Sequence, residues 1–332
     1  MTKITRSNLP PKALSAALLA LGLGIAPANA LINRAWVSGH GSDAASCGAP
    51  ASPCRTLQYV HDHIVAAGGE IDVLDPAGYG AVTITKALSI VNDGVGTAGV
   101  QAASGNAITI NAGSSDTVSL RGLNIDGLGT GDNGIVFNSG GSLTVANCVI
   151  RHFHVAATPA TGNGILLQPA SGSINFLISN TIAADNGNVG IFYYPPSGNA
   201  SVNGVIDHAT TTNNTDGIAI FALHATGGAV VVTISNTTAS NNSSYGMLFF
   251  PSAGGLTATV DSSYASSNAY GIAANGTANI LLRRSVVTTN VNGGIDNGTS
   301  PNTFYTYRDN RINKNGSSDI GGAALNTSFT LR

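Results

Sequence analysis

Charge is what this sequence has least of: 14 Lys and Arg and 16 Asp and Glu make up 9% of 332 residues, against a usual share of about 25%. With a formal net charge of −2, there is no basic footprint for a nucleic acid. Glu70 is the single glutamate, so few groups are available for acid–base chemistry. Three cysteines are too few for a zinc site without converging histidines. No apolar run reaches the roughly 20 residues that a membrane-spanning helix needs.

What is present begins with an address. Lys3, Arg6 and Lys12 precede an apolar run from Ala13 to Ile25, and Ala28-Asn29-Ala30 is a small-x-small cleavage site, the pattern of a signal peptide over 1–30. No arginine pair precedes the run and no Cys follows it, so a Sec-type export signal is expected, with a secreted or periplasmic chain starting at Leu31. Losing Lys3, Arg6 and Lys12 takes the charge from −2 to −5. Short regular apolar runs, 43% hydrophobic residues in all, can still build a core under a neutral surface of Ser, Thr, Asn and Gly. An oxidising compartment predicts a bridge between Cys47 and Cys54. Closing that short loop stabilises by about 2 to 3 kcal/mol on a chain-entropy model. Cys148 is expected to be a buried, inert thiol.

A repeat then dominates the chain. Gly-Ile or Gly-Met recurs at Gly134, Gly164, Gly190, Gly217, Gly246, Gly271 and Gly294, at intervals of 23 to 30 residues. Period-two apolar strands end on Val145, Ile178, Ile206, Ile234, Val260, Leu282 and Tyr307, as half-buried strands do. Eight residues beyond each anchor lie Asn186, Asn214, Asn242, Asn268, Asn290 and Asn315, with Phe153 in place of Asn after Val145. An inward Asn at a bend carries a donor and an acceptor, so stacked copies can satisfy one another and the turn backbone. Asp207, Asp261, Arg283 and Arg308, one residue past their anchors, are expected to face solvent, with Asp261 beside Arg283 and Arg284 beside Asp309. No helical pattern separates the strands, which excludes leucine-rich and ankyrin repeats. The pattern predicts an all-β fold, a parallel β-helix, right-handed by the rule for parallel crossovers. Thr56 is placed to N-cap a capping helix with Leu57, Val60, Ile64 and Val65 on one face, ended by Gly68-Gly69. The expected layout is an N-terminal Cys-containing segment and capping helix over 31–70, a β-helix over 71–325 and a tail over 326–332, in which Phe329 and Leu331 cover the last rung.

Trp36-Val37-Ser38, Gly41-Ser42-Asp43, the run from Pro53 to Gln58 and Gly68-Gly69-Glu70-Ile71 resemble the N-terminal segment of bacterial right-handed β-helix repeat proteins of the pectate-lyase-like superfamily. The resemblance implies the fold over nearly the whole mature chain. It leaves function undecided, since that superfamily holds lyases, glycosidases, tailspikes and adhesins.

Polygalacturonase-like hydrolases gather Asn-x-Asp, Asp-Asp and Gly-His-Gly on one sheet. Here Asn214-Thr215-Asp216 and Gly39-His40-Gly41 occur without any Asp-Asp. A calcium-dependent lyase would stack Asp or Glu ligands beside an Arg base, and Ca²⁺ enters only with that alternative. Asp207 and Asp261 share a column two rungs, roughly 9.6 Å, apart, a spacing compatible with inversion and equally with a solvated face. Arg121, Arg151, Tyr193 and Tyr194 are the remaining candidates for a base. The histidines form neither a Ser-His-Asp set nor a metal-spaced one, and no other cofactor or metal is implied.

Three residues past each Gly-Ile isoleucine, the chain presents Asn138, Gln168, Tyr194, Phe221, Phe250 and Asn275 outward. Flat rings flanked by amides suit a sugar, which has an apolar C–H face and a rim of hydroxyls. The following loops, from Pro195, Leu223 and Pro251, would instead bury these rings if they fold back. The reading that emerges is an exported protein that binds an extracellular polysaccharide or serves as a surface scaffold without catalysis; the alternative is a polysaccharide lyase or glycoside hydrolase acting on an acidic glycan.

Overall fold

A computed structural model describes residues 31–155, 160–198, 200–251, 253–276, 278–298 and 304–327. The signal segment, Phe329 and Leu331 lie outside the described residues.

Three parallel sheets of 11, 10 and 10 strands wind into a right-handed β-solenoid. Sheet 1 runs from Ile32–Val37 to Phe304–Thr306, sheet 2 from Val82–Ile84 to Ile320–Gly321, and sheet 3 from Ala77–Gly78 to Arg311–Asn313. One rung visits sheets 1, 3 and 2 in turn, as Ser142–Ala146, Val149–Arg151 and Asn163–Leu167 do. Each strand pairs in parallel with the strands one rung away, so like residues stack: Val145, Ile178, Ile206, Ile234, Val260 and Leu282 form one buried file. Alternation puts every second residue inside, which is why Ser173–Ser179 shows buried Ile174, Phe176 and Ile178 between exposed Ser173, Asn175 and Leu177.

The Asn column is an internal ladder. Asn242 accepts from the Asn214 N–H and Nδ2 at 3.1 and 3.2 Å, and its own Nδ2 donates to Asn268 Oδ1 at 2.9 Å and the Thr211 carbonyl at 3.3 Å. The same pattern runs from Asn186 to Asn315, and the N–H of Phe153 donates to Asn186 Oδ1 at 3.3 Å. A second polar file escaped the sequence reading: the N–H groups of Cys148, Ala209, Thr237, Ser263 and Ser285 donate to Thr181, Thr237, Ser263, Ser285 and Asn310 side chains. A third, Asn106, Asn133 and Asn163, opens three successive sheet 2 strands and is bonded across rungs. Its signal was the Asn before Gly134-Ile135 and Gly164-Ile165.

The repeated glycines follow from close approach. A Cβ on Gly217 would lie 2.5 Å from the Gly246 carbonyl and 2.8 Å from Asn242 Nδ2, and Gly134, Gly190, Gly246 and Gly271 meet the next rung in the same way. The residues two past the anchors, Asn147, Asn180, His208, Asn236, Ser262 and Arg284, have φ between 46° and 56° and turn the chain from sheet 1 to sheet 3, a left-handed position that Asn tolerates better than most residues.

Three expectations need correction or extension. Thr306, not Tyr307, pairs with Leu282, so Arg308, two residues past it, takes the left-handed position at φ 66°, and the one extra residue of that turn follows it, before Arg311 pairs with Val286. Arg284, which feels the charge of Asp309, is bonded to Asp261 as well, its Nε 2.8 Å from Oδ1, while Arg283 Nε lies 3.5 Å from Oδ2. The helix, Leu57–His63, is shorter than expected. Thr56 accepts from the Tyr59 N–H at 3.3 Å and Leu57 and Val60 are buried, but the chain is already in a strand, Val65–Val73, by Gly68-Gly69. There the register slips between Ile32↔Val65 and Arg34↔Glu70, an irregularity that Gly68 at φ 77° accommodates. Sheet 1 therefore starts at Ile32, ahead of the expected first rung. Cys47 and Cys54 are bonded, with Cα atoms 5.0 Å apart, and Cys148 is buried and free; burial pushes its thiol up to about 11.

Candidate functional site

The outer face of sheet 2 carries an apolar cluster of its own. One residue past each Gly-Ile isoleucine or methionine, Val136, Leu166, Phe192, Ala219, Leu248 and Ala273 form a buried file separate from the core, with Tyr194, Phe221, Tyr245 and Phe250 packed against it. The sequence reading had passed over this file. Beside it the amides of the predicted column are bonded to one another and begin one rung earlier than expected: Asn138 Nδ2 donates to Asn111 Oδ1 at 2.8 Å, and Gln168 Nε2 donates to Asn138 Oδ1 at 2.7 Å. Tyr194, Phe221 and Phe250 continue it, with ring centroids 5.7 Å and 4.4 Å apart, and Asn275 is exposed at its end. The three rings are half-buried. His224, from the loop after Phe221, stands edge-on to Tyr194 at 5.2 Å with Nε2 3.1 Å from its hydroxyl. At a rung spacing of about 4.8 Å, seven stacked positions span roughly 29 Å.

At the start of the same strands, Tyr245 and Tyr270 stack at 5.3 Å and 22°. The carboxyl of Asp216 accepts from the Tyr245 N–H at 2.9 Å, and burial raises its pKa. Asp296 accepts from the Gly298 N–H at 3.0 Å.

Asp207 and Asp261 are placed as expected, separated by Ser235 in one column of sheet 1. Both are held ionised. The Ser235 hydroxyl at 2.6 Å, then Asn236 Nδ2 at 2.9 Å, bring Asp207 down to about 2, and the Arg284 guanidinium lowers Asp261. Neither suits a general acid, whose pKa must lie near the working pH. His208 Nδ1 lies 2.6 Å from Asp207.

Of the four candidate bases, Arg121 pairs with Asp93 and Arg151 with Asp126, and the Tyr194 hydroxyl meets His224, while Tyr193 points into the core, 1% exposed, and burial pushes its phenol up to about 12. His40 lies 3.3 Å from Asp75 in the first turn, well away from Asp216, so the Gly-His-Gly and Asn-x-Asp motifs are not gathered. A cavity of about 610 Å³ is lined by Asp126, His152, Phe153, His154 and Asp185, among others. Burial would raise Asp126, but bonds from the Leu128 N–H, His152 and Arg151 outweigh it and lower the carboxyl. Among the described residues, the one grouping of three potential metal ligands is Asp43 with Cys47 and Cys54, and the disulfide occupies both sulfurs.

No protein-family model and no curated protein matches this chain. Among solved structures, pectate lyase Pel9A is similar at a TM-score of 0.51 and 16% identity, over 90% of this chain and 80% of that one. The fold is a right-handed parallel β-helix. The GH136 lacto-N-biosidase from Eubacterium ramulus is similar at a TM-score of 0.51 and 12% identity, over 87% of this chain and 68% of that one. At such identities the likeness concerns the fold alone, and the site must be argued from its own residues. No helix among the described residues is long and apolar enough to cross a membrane.

Proposed function

We propose that this β-helix is exported and binds an extracellular or cell-surface polysaccharide along the outer face of sheet 2, without chemistry of its own. The observation that carries the reading is one column of stacked positions from Asn111 to Asn275, in which Asn111, Asn138 and Gln168 are bonded amide to amide and Tyr194, Phe221 and Phe250 are in ring contact. Rings and amides repeated at the rung spacing match a polymer of pyranoses better than a single small molecule. The Cys47–Cys54 bridge supports an oxidising location, and the signal over 1–30 supports export. The two similar structures named above are enzymes named for saccharides, which favours the same ligand class.

A hydrolase remains the second reading because Asp216, half-buried with a raised pKa, sits on the same face. A glycan array run on the parent chain and on Phe221→Ala tests the first: binding that disappears in the variant, with melting shifted by only about 1 kcal/mol for a half-buried ring, supports it. An empty array for the parent retires it. Reducing-sugar release by the parent that Asp216→Asn abolishes would establish the hydrolase instead.

A further inference from the structure

The face proposed above to bind a glycan has a charge pattern that narrows the ligand. From Asn106–Asn111 to Gly293–Asp296, the strands of sheet 2 and the turns leaving them contain no Lys or Arg. Lys86, in the turn before them, donates to the carbonyls of His61 and Val65 at 2.6 Å. The carboxylates in those strands are Asp216 and Asp296. Burial, then the charges of Asp296, Tyr270 and Asp216, raise the Tyr245 phenol, so both acids act on Tyr245, which stacks on Tyr270. Tyr245 precedes Phe250 by five residues along one strand, which sets the two aromatic rows roughly 16 Å apart. Between them lie Ala219, Leu248 and Ala273.

We infer that the ligand of this face is an uncharged glycan, stacked on Tyr194, Phe221 and Phe250, with hydroxyls donated to Asp216 and Asp296. A neutral sugar hydroxyl meeting a carboxylate makes a charge-assisted hydrogen bond. A uronate in the same position places like charges together where partial burial weakens screening by water, with no Lys or Arg in those strands to balance them.

The inference rests on the glycan-binding reading, and calorimetry separates the two. The purified chain is titrated with neutral hexasaccharides of glucose, mannose, xylose, galactose and N-acetylglucosamine, and with hexamers of glucuronate, mannuronate and galacturonate. A neutral hexamer is expected to bind about tenfold or more tightly than the uronate of matching backbone. Asp296→Lys should shift that ratio toward the uronate by about tenfold, and Asp296→Asn, which keeps the shape, by less. A uronate bound as tightly as the neutral hexamer by the parent, and lost in Phe221→Ala, overturns the charge inference while leaving the glycan reading intact. Failure of every hexamer to bind overturns both.

Discussion

Asn242→Ala probes the ladder at its centre. The side chain is 2% exposed and joins four partners: the Asn214 N–H and Nδ2, the Thr211 carbonyl and Asn268 Oδ1. Truncation leaves Asn268 Oδ1 still bonded to the residue 242 N–H, and Asn214 Nδ2 still bonded to the Ala183 carbonyl at 3.0 Å. The Asn214 N–H loses its acceptor, and the Thr211 carbonyl loses the bond from Asn242. One orphaned buried donor costs about 1 to 3 kcal/mol, so the expected destabilisation is about 2 kcal/mol. Asn175→Ala is the control, since Asn175 is exposed on the outer face of sheet 1 and its loss should cost under about 0.5 kcal/mol. Urea unfolding followed by circular dichroism measures both, with the slope checked to be unchanged. Because neighbouring rungs couple in a solenoid, the two variants should be compared under one protocol. Equal midpoint shifts would refute the view that the ladder's hydrogen bonds, rather than Asn composition, stabilise these turns.

Gly217→Ala places a methyl 2.5 Å from the Gly246 carbonyl and should cost at least about 1 to 3 kcal/mol; a midpoint within error of the parent would contradict the close-approach explanation of Gly-Ile. Asp207 titrates below its ordinary 3.8, at about 2, so its stabilisation is complete above the unfolded value and lost as pH falls through the folded one. Acid titration of stability between about pH 4 and 2 should therefore be shallower in Asp207→Asn than in the parent, and identical slopes would exclude a stabilising role for its Ser235 and Asn236 bonds. The buried Tyr193 hydroxyl has no hydrogen-bond partner among the described residues. Removing it in Tyr193→Phe should raise stability by about 1 kcal/mol, and a clear loss in thermal melting would show that the phenol is satisfied.

Most of the fold was legible as periodicity. Side-chain alternation and a constant offset from anchor to Asn are local properties of the chain, and stacking identical rungs turns them directly into files. Counting eight residues on from Tyr307 does reach Asn315 of the ladder, but the true anchor is Thr306, and the one-residue insertion between Thr306 and Asn315 leaves no mark on apolar alternation, whereas the pairing of Thr306 with Leu282 reveals it. Parity also identified which residues leave sheet 2 outward, including Tyr194, Phe221 and Phe250. How far those rings are covered depends on neighbours from other rungs and loops, such as His224 against Tyr194 and Phe192 beneath it, 4.9 Å away. The electrostatic choices were likewise three-dimensional: Arg284 turns to Asp261 because its left-handed backbone re-aims the side chain. Asp216 acquires its raised pKa from burial at the start of an interior strand of sheet 2, a property carried by no residue spacing.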